Sequence, residues 1–453
     1  MSLSIIILAA GQGTRMYSDK PKVLHQLAGK SLLEHVHHTA SMLETRGIHV
    51  VYGYGGDQLI EDLSHLAVDW VEQDEQLGTG HAVKQALPNI PDKDLVLVLY
   101  GDVPLITVDT LTELIEAAGK SKFSLLTSLV DEPGGYGRIV RDDNNEVVRI
   151  VEEKDATNDE KKICEINTGM MAVNSKALKQ WVEKLESDNV QNEYYLTDVI
   201  NMAVKEGLKI NTVQPHSVVE IRGVNDRAQL SEMERYYQLI QAHQLMRRGI
   251  TIMDPVRFDL RGDLEIDSDC VIDINVILEG RLKIGRGVHI GANCIIKDSV
   301  IDDDVVILPN SVIENSVIGK SCRIGPFARI RPESVLNENV HVGNFVEIKK
   351  SIIGNRSKIN HLSYIGDSEI GTETNIGAGT ITCNYDGANK HKTIIGDNVF
   401  VGSDVQLVAP VSVSSGATIA AGTTITKDVA ENELAISRTP QKSVPDWKRP
   451  EKK

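Results

Sequence analysis

A six-residue aliphatic repeat fills the back half of the sequence and constrains the fold more than any other feature. Ile, Leu or Val recurs at every sixth position over long stretches, with a few one-residue slips and one longer interruption. This hexapeptide period is typical of a parallel β-helix, in which each hexad supplies one short strand and one turn. The α-helical period of about 3.6 residues would not stay in phase with it. We expect the anchors to form interior ladders: Ile266, Ile272, Leu278, Ile284, Ile290, Ile296, Ile301, Ile307, Ile313, Ile318, Ile324, Ile330, Leu336, Val342, Ile348, Ile353, Ile359, Ile365, Ile370, Ile376, Val401, Leu407, Val413, Ile419 and Ile425.

Glycine follows many of the anchors directly, as in Ile290-Gly291, Val342-Gly343 and Val401-Gly402. A residue without a β-carbon adopts turn conformations that other residues resist, so we expect these glycines to turn the corners of the coils. The clearest break in the repeat is the polar stretch T-C-N-Y-D-G-A-N-K-H-K-T at 382–393. It predicts a loop that leaves the prism, and function is expected where the period breaks.

Length and composition limit the possible classes of protein. A chain of 453 residues is long enough for two or three domains. The formal charge of −16 argues against nucleic acid as a partner, because a phosphate backbone requires a basic surface. Five cysteines without C-x-x-C spacing make a disulfide framework or a zinc site unexpected. No apolar run is long enough to span a bilayer, and the first residues lack a basic leader, so we expect a cytoplasmic protein without membrane insertion.

The front half of the sequence opens with an apolar strand, residues 4–10, followed at once by a glycine-rich turn. Glycines there would let backbone N–H groups approach a phosphate, and Arg15 and Lys22 could balance the charge of a displaced pyrophosphate. The turn fits neither G-x-x-x-x-G-K-[ST] nor G-x-G-x-x-G, since Met16 occupies the last position of the second pattern. A P-loop kinase and a nicotinamide dehydrogenase therefore lose support, while a plain tight turn remains an alternative.

Further apolar strands at 49–54, 95–100 and 124–130 alternate with helical stretches, which predicts an α/β domain with a mainly parallel sheet. The strand at 95–100 runs directly into Gly101 and Asp102. A carboxylate beyond the carboxyl end of a buried strand lies where such sheets bind ligands, and its oxygen suits magnesium. A turn or helix cap is the structural alternative for Asp102. Residues 134–167 predict paired strands that could hold a hydroxylated substrate, and 227–248 predict a connecting helix.

Several motifs together resemble one enzyme family. They are L-A-A-G-x-G-T-R-M, P-K-V-L-H, Y-G-D-V-P-L, E-I-N-T-G, the insert N-Y-D-G-A-N-K and the terminal I-A-A-G-T-T-I. With the hexapeptide repeat, they resemble the bacterial bifunctional N-acetylglucosamine-1-phosphate uridylyltransferases and glucosamine-1-phosphate N-acetyltransferases over nearly the whole chain. The resemblance implies a Rossmann-like nucleotidyltransferase domain at 1–226, a connecting helix at 227–248 and a left-handed parallel β-helix with a C-terminal tail at 249–453.

The resemblance implies two reactions of UDP-N-acetylglucosamine synthesis, a pathway that supplies precursors of peptidoglycan and lipopolysaccharide. The β-helix would acetylate glucosamine 1-phosphate with acetyl-CoA. The amino-terminal domain would then transfer UMP from UTP to N-acetylglucosamine 1-phosphate with Mg²⁺ and release pyrophosphate. Arg15 and Lys22 would stabilise the phosphates, and Asp102 and Asn225 would hold the metal ion. The remaining residues implied to bind the sugar nucleotide, together with Lys22 and Asn225, are Leu8, Ala9, Ala10, Gly11, Gln73, Gly78, Thr79, Tyr100, Gly101, Gly137, Glu152 and Asn167.

In the β-helix the resemblance implies that His361 is the base that deprotonates the attacking amine, with Glu347 orienting its ring. A surface histidine is the structural alternative. The other implied residues follow by ligand. Arg331, Lys349, Tyr364 and Asn375 would bind the sugar phosphate, and Ala378, Asn384, Tyr385, Ser403, Ala421 and Arg438 would bind acetyl-CoA. Because a β-helix has no deep pocket of its own, these residues would work in clefts between neighbouring prisms, and a homotrimer is expected.

Two other readings remain open at this point. A single-activity nucleotidyltransferase could use the β-helix only for assembly or regulation, as glucose-1-phosphate adenylyltransferases do. A non-catalytic regulatory subunit, of the kind found in translation-initiation exchange factors, would share both domain types. The second reading predicts loss of Arg15, Lys22 and Asp102, which are all present. The first predicts fewer coils and no insert of the kind at 382–393.

Overall fold

The computed structural model describes residues 2–452, and the chain forms two compact units, Met1–Tyr237 and Gln238–Lys453. The first unit is an α/β domain. Its strands are β1 Leu3–Leu8, β2 Gln26–Leu27, β3 Lys30–Ser31, β4 Gly47–Tyr52, β5 Asp69–Glu72, β6 Leu95–Tyr100, β7 Phe123–Leu129, β8 Gly137–Arg141, β9 Val147–Val151, β10 Glu165–Asn174 and β11 Asn211–Val213. Its α-helices are α1 Leu32–Ser41, α2 Gly56–Asp62, α3 Thr79–Ala86, α4 Val108–Ser121, α5 Ser175–Val182, α6 Asp198–Lys205 and α7 Arg227–Arg247, the last continuing into the second unit. Short 3₁₀ helices are Thr14–Met16, Lys22–Leu24, Leu87–Asn89, Glu160–Lys162, Val218–Ile221 and, in the second unit, Pro255–Arg257.

The main sheet of the first unit has the order β11-β7-β10-β6-β1-β4-β5, and β8 and β9 extend it beside β10. The strands β6, β1, β4 and β5 are mutually parallel, whereas β10 is antiparallel to β6, β7 and β8. Every residue of β1 is buried, as expected for a central strand that is covered on both faces. The predicted α/β domain with a mainly parallel sheet is confirmed, and the carboxyl ends of β1, β4 and β6 form one edge of the sheet.

The second unit is a parallel β-helix, consistent with the left-handed β-helix that we expect from the sequence. One face is an 11-stranded sheet formed by Thr251–Ile252, Val271–Ile272, His289–Ile290, Val306–Ile307, Arg323–Ile324, His341–Asn344, Lys358–His361, Asn375–Ile376, Phe400–Val401, Thr418–Ile419 and Leu434–Ala435. The other strands form a 17-stranded sheet: Phe258–Ile266, Val276–Ile284, Ile295–Lys297, Val300–Ile301, Val312–Glu314, Ser316–Ile318, Arg329–Ile330, Ser334–Leu336, Glu347–Lys349, Ile352–Ile353, Tyr364–Gly366, Ser368–Ile370, Ile381–Cys383, Thr393–Ile395, Gln406–Val408, Val411–Val413 and Thr424–Ile425.

Successive coils of the β-helix stack the hexad anchors directly on one another. Ile290 is paired with Ile307, and Ile307 with Ile324, so that one coil takes 17 residues here. All the predicted anchors are buried and belong to one continuous core. Full burial of an aliphatic side chain stabilises a fold by about 1.5–3 kcal/mol, so these ladders are the main source of stability in this unit. The insert lengthens one coil, because Ile376 pairs with Val401, 25 residues further on.

Of the glycines that follow the anchors, Gly325 (φ 94°) has the left-handed turn conformation that we expected, whereas others serve a different purpose. Gly343 and Gly402 are absent from the residues with positive φ, whereas the left-handed corner positions hold side chains such as Asn310 (φ 61°) and Phe327 (φ 56°). A β-carbon on Gly343 would lie 1.9 Å from the carbonyl oxygen of Asn360 in the next coil. Glycine is therefore required at this position by close contact between coils, not by an unusual backbone angle.

The helix α7, Arg227–Arg247, nearly coincides with the helix predicted at 227–248, and only part of the apolar row along it is buried. Leu230, Met233 and Tyr237 pack in the core of the first unit, whereas Ile240 is exposed. Gln238 is buried instead, and its side-chain amide exchanges two hydrogen bonds with the backbone of Leu260 at 2.7 and 2.9 Å. Among the helices of residues 2–452, none combines the length and the apolar character needed to cross a membrane.

Candidate functional sites

A cavity of about 250 Å³ lies at the carboxyl ends of β1 and β6 in the first unit. The predicted residues that line it come from the glycine-rich turn, the turn before α3 and the end of β6: Leu8, Ala9, Ala10, Gly11, Lys22, Gln73, Gly78, Thr79, Tyr100 and Asp102. Gly101 lies directly beside it and donates a backbone hydrogen bond to Leu8 O at 2.9 Å. The structure thus brings most of the predicted sugar-nucleotide residues of this unit together around one cavity.

The glycine-rich turn places its two predicted cations differently. Gly13 has a left-handed backbone (φ 63°), and a β-carbon there would lie 2.6 Å from Lys22 Cβ. Glycine is needed at this position because the Lys22 side chain passes against it on its way into the cavity. Arg15, in the 3₁₀ turn Thr14–Met16, is exposed and does not line the cavity. Lys22 is therefore already placed at the site, whereas Arg15 lies on the exposed turn beside it.

Lys22, Asp102 and Asn225 form a compact polar cluster at the mouth of the cavity. The Lys22 ammonium is in a salt bridge with Asp102 Oδ2 and lies 3.3 Å from Asn225 Oδ1. Two side-chain oxygens therefore converge on one cationic group, and oxygens are the ligands that magnesium prefers. No group of three potential His, Cys, Asp or Glu ligands occurs within residues 2–452, but magnesium commonly takes one or two protein oxygens and completes its shell with water and substrate phosphates. The residues present fit the ion.

The predicted sugar contacts lie on the antiparallel part of the sheet. Gly137 of β8 is the direct register partner of Asn167 of β10, and a β-carbon on Gly137 would lie 3.4 Å from a carboxylate oxygen of Glu152. Glu152 accepts a hydrogen bond from Thr197 Oγ1 at 2.9 Å. Burial raises the pKa of Glu152, as do the nearby Asp155 and Asp198 carboxylates, so this group holds its proton more tightly than an exposed glutamate.

The side chain of Tyr100 projects from the end of β6 toward this region. Gly169 (φ 86°) gives it room, since a β-carbon on Gly169 would lie 2.5 Å from the ring. Burial, and secondarily the charges of Glu152 and Asp102, raise the pKa of Tyr100, so the hydroxyl stays protonated and can donate to a ligand.

Four cavity residues were not predicted from the sequence: Val23, Gln76, Ala82 and Glu193. Val23 lies within the motif P-K-V-L-H, and Gln76 and Ala82 lie within three residues of the predicted Gly78 and Thr79, so proximity in sequence was an available signal. Glu193 had no such signal, because it reaches the cavity through the backbone pairing of Tyr194 N with Leu77 O at 2.8 Å and of Gly80 N with Tyr194 O at 2.8 Å.

The second candidate site surrounds His361, on an exposed corner of the β-helix. His361 ends the strand Lys358–His361 and is stacked on Asn344, 17 residues earlier, in the coil before it. Asn344 Oδ1 lies 3.1 Å from His361 Nδ1. The expected partner, Glu347, instead accepts a hydrogen bond from Arg331 at 2.7 Å. The coil register places Asn344 beside the ring, and the expected role of Glu347 in orienting it stays a prediction.

Positive charge collects on the face next to this corner. Besides the Arg331–Glu347 pair, Lys349 interacts with Lys390 of the insert, and the neighbouring Lys390 ammonium lowers the pKa of Lys349. Lys390 was not among the predicted residues, although it ends the recognised N-Y-D-G-A-N-K motif. Arg331, Lys349 and Lys390 thus lie close together, beside the carboxylates of Glu347 and Asp367, and such a cluster of cations suits a phosphate group.

The insert and Tyr364 close one side of this cationic face. Asn384 is buried and donates from Nδ2 to Asp367, with Tyr364 Oη 3.5 Å away. Tyr385 is exposed at the tip, where its hydroxyl donates to Gly387 O at 2.6 Å. Asn375 lies on the other side of the corner, since it pairs with Lys358 and Phe400 in the 11-stranded sheet.

The remaining predicted residues continue along the same corner in successive coils. Backbone hydrogen bonds join Gly379 N to His361 O, Asp404 N to Ala378 O, and Gly422 N to Ser403 O. Ala421 packs against the coil of Gly402, and the Arg438 side chain lies near Gly422. Ala378, Ser403, Ala421 and Arg438 therefore form a row that leads away from His361 along one edge.

Comparison with known proteins accounts for both units. Residues 5–142 match the MobA-like NTP transferase domain, and residues 260–346 and 324–435 match the GMPPB C-terminal domain. The protein named bifunctional protein GlmU of Methylococcus capsulatus is 57% identical over 453 residues, which is 100% of this chain and 98% of the relative.

Two solved structures are similar to about half of the chain. A UDP-glucose pyrophosphorylase complexed with UDP-glucose is 17% identical and matches 52% of this chain and 98% of its own, with a TM-score of 0.45. A nucleotidyl transferase from Methanothermobacter thermautotroptrophicus is 16% identical and matches 52% of this chain and 97% of its own, with a TM-score of 0.38. The full-length identity with the Methylococcus relative is the decisive comparison, and on it the chain belongs to the bifunctional GlmU family.

Proposed function

We propose that the chain is a bifunctional enzyme of UDP-N-acetylglucosamine synthesis, with one reaction in each unit. The second unit acetylates glucosamine 1-phosphate with acetyl-CoA, and the first transfers UMP from UTP to N-acetylglucosamine 1-phosphate. The product serves as a precursor of cell-envelope polymers, and the enzyme is cytoplasmic. Family membership over the full length of both chains supports this function. We further propose domain limits at 1–226 and 249–453, joined by the helix at 227–248.

In the first unit, the substrate phosphate attacks the α-phosphorus of UTP and pyrophosphate leaves. The chain need not supply a nucleophile, so its residues act by alignment and charge balance. Gln73, Gly78 and Thr79 hold the uridine end of the cavity, and Tyr100, Gly137, Glu152 and Asn167 hold the sugar end. Lys22, already in the cavity, and Arg15, on the exposed turn, approach the phosphates as they bind.

Asp102 and Asn225 are the residues that would hold Mg²⁺, which would neutralise phosphate charge when bound. The salt bridge of Lys22 with Asp102 links this step to substrate binding. Asp102 and Asn225 orient the Lys22 ammonium in the absence of ligand. If their oxygens held Mg²⁺, Lys22 would lose these partners and would be available to a phosphate oxygen.

In the second unit, the amine of glucosamine 1-phosphate must lose a proton to attack the thioester of acetyl-CoA. The contact of His361 Nδ1 with Asn344 Oδ1 at 3.1 Å supports a tautomer in which Nδ1 carries the proton. Nε2 is then free to accept the proton of the amine. Arg331, Lys349 and Lys390 bind the sugar phosphate beside Tyr364. The row along the corner, with Asn384 and Tyr385, binds coenzyme A.

We propose that the active form is a homotrimer. His361 lies on an exposed corner of the prism. Packing such corners against neighbouring prisms would exclude water from the reacting groups. Asn375, across the corner from Tyr364, would then face substrate held partly by a neighbouring chain.

One observation favours two activities over a single-activity nucleotidyltransferase with a scaffolding β-helix. The exposed His361, held by Asn344, adjoins the cluster of Arg331, Lys349 and Lys390, and a scaffold has no need for either feature. A regulatory subunit is disfavoured by the polar cluster of Lys22, Asp102 and Asn225, which an inactive domain would not have to keep.

A coupled assay on the purified chain tests this proposal. Free thiol is followed with acetyl-CoA and glucosamine 1-phosphate, and pyrophosphate is followed separately with UTP, N-acetylglucosamine 1-phosphate and Mg²⁺. We expect both signals. Pyrophosphate without thiol would reduce the β-helix to a scaffold, and the absence of both would favour a regulatory subunit.

A further inference from the structure

Gln73, on the wall of the nucleotide cavity, is held by Gly78, which also lines the cavity, and by His81, which does not. Its side chain is buried, with 3% of the residue exposed. Gln73 Nε2 lies 3.2 Å from the backbone oxygen of Gly78 and 3.1 Å from Nδ1 of His81. On the far side of the ring, the terminal amide of Gln85 lies 2.8 Å from His81 Nε2. Because His81 and Gln85 are four residues apart in α3, they face the same side of that helix.

The backbone oxygen of Gly78 determines which atoms carry the hydrogens in the series Gln73, His81 and Gln85. A carbonyl oxygen only accepts hydrogen bonds, so the nitrogen of the Gln73 amide, and not its oxygen, must face it. The second hydrogen of that nitrogen points to His81 Nδ1, which must therefore be unprotonated. In a neutral imidazole the proton is then on Nε2, and Gln85 must meet it with an acceptor. The oxygen and nitrogen of the Gln85 amide, which have nearly the same shape, are exchanged in this arrangement relative to their placement in the structure.

We propose that His81, supported by Gln85, is a positioning residue that determines which atom Gln73 presents to the base of the nucleotide. Both hydrogens of the Gln73 amide are used by Gly78 and His81. Only the amide oxygen remains for a ligand in the cavity, and this oxygen can accept a hydrogen bond but cannot donate one. The selection is made by His81, which does not itself line the cavity.

An acceptor at this position distinguishes pyrimidine bases by their N3 atoms. Uracil carries a hydrogen on N3 and can donate it to the Gln73 oxygen. N3 of cytosine carries a lone pair instead, so it and the Gln73 oxygen, both acceptors, would repel each other. A rotated Gln73 amide would reverse the preference, because its NH₂ group would then meet the base. A site built to receive a donor rejects ligands that lack it, since a buried polar group would be left unpaired.

The surroundings of His81 hold the ring in this position. Its ring lies 6.4 Å, centre to centre, from that of Tyr194. The backbone of Tyr194 pairs with Gly80 and Leu77 on either side of the turn before α3. The imidazole is thus fixed between a neighbouring segment and the row of amides. The inference rests on the proposed function insofar as the base is that of UTP.

Two substitutions at the same position separate a positioning role from a general structural one. His81→Asn keeps an oxygen near the place of Nδ1 and can still accept from Gln73, whereas His81→Leu has a comparable volume and no acceptor. The affinities of wild type and both variants for UTP and for CTP are measured by calorimetry with the full chain. Binding is used because it reports on the base even if the chain does not turn over. Thermal melting of each variant serves as the control for folding of the first unit.

We expect the wild type to bind UTP more tightly than CTP, His81→Asn to keep that preference, and His81→Leu to lose it by a factor of about 10, as for one hydrogen bond. Equal loss of UTP and CTP affinity in His81→Leu would overturn the inference, because it would mean that the ring only packs. A wild type without base preference would overturn it as well. A base preference without pyrophosphate formation would instead contradict the proposed function and leave the role of His81 supported.

Discussion

The contact between Asn344 and His361 leads to a prediction that separates two candidate partners of the histidine. Asn344→Leu removes the acceptor 3.1 Å from Nδ1 but leaves the charged pair of Arg331 and Glu347 in place. Glu347→Gln weakens that pair and does not touch the ring. If Asn344 holds the productive tautomer, the two variants should impair different steps of acetyl transfer.

The magnitude follows from the kind of hydrogen bond involved. A neutral bond of this geometry contributes about 0.5–1.5 kcal/mol net. Each 1.36 kcal/mol of barrier is a factor of about ten in rate. We expect Asn344→Leu to lower kcat for acetyl transfer by a factor of about 3 to 10, with KM for glucosamine 1-phosphate nearly unchanged. Glu347→Gln should mainly raise that KM, because Arg331 loses the charged partner that orients it toward the phosphate.

Steady-state measurement of thiol release gives both constants, and pyrophosphate formation by the first unit controls for protein quality. A third variant, Asn344→Asp, keeps the acceptor and adds a negative charge beside the ring, so it should retain activity and move the acidic limb of the pH profile to higher pH. Reduced kcat in Glu347→Gln together with an unaffected Asn344→Leu would refute this assignment and restore Glu347 as the partner of the ring.

Two further predictions concern stability. Glu152→Gln keeps an acceptor for Thr197 and removes a carboxylate whose pKa is raised by burial. Ionised Glu152 lowers the stability of the fold above its folded pKa and has no effect below its unfolded pKa, so the variant should raise Tm at about pH 8 and leave it unchanged at about pH 4. An equal change of Tm at both pH values would contradict this reasoning. Gly343→Ala, whose β-carbon would lie 1.9 Å from a backbone oxygen, should lower the stability of the β-helix by about 1–3 kcal/mol or more. Gly119→Ala in α4, where a β-carbon would have no atom within 4 Å, should instead stabilise its own unit by about 0.5–1 kcal/mol. Calorimetric melting of each variant tests both, and destabilisation of similar size by the two substitutions would count against the proposed clash.

Features that depend on one coil or one strand were predictable from the sequence. The hexad period identified the anchors because a side chain that is buried at every sixth position must be apolar, which gives a periodic pattern in the sequence. The apolar run of β6 followed by Asp102 likewise predicted a carboxylate at the ligand-binding edge of the sheet. These inferences needed only the local period and the known geometry of a parallel sheet.

Features that depend on contact between coils were not predicted, although their signal was present. The reason for glycine at Gly343 and the partner of His361 both arise from residues 17 positions apart, which is the length of one coil here. Counting back 17 residues from His361 reaches Asn344. Glu193 is different, because only the tertiary pairing of its segment with the turn before α3 brings it to the cavity. No period in the sequence encodes that pairing.

The central claim is that one chain carries two chemically independent active sites. The most direct measurement follows thiol release and pyrophosphate release in parallel for Asp102→Ala and His361→Ala, each shown to be folded. We expect Asp102→Ala to abolish pyrophosphate formation and to leave acetyl transfer intact, and His361→Ala to have the reverse effect. Loss of both activities in either folded variant would contradict the claim.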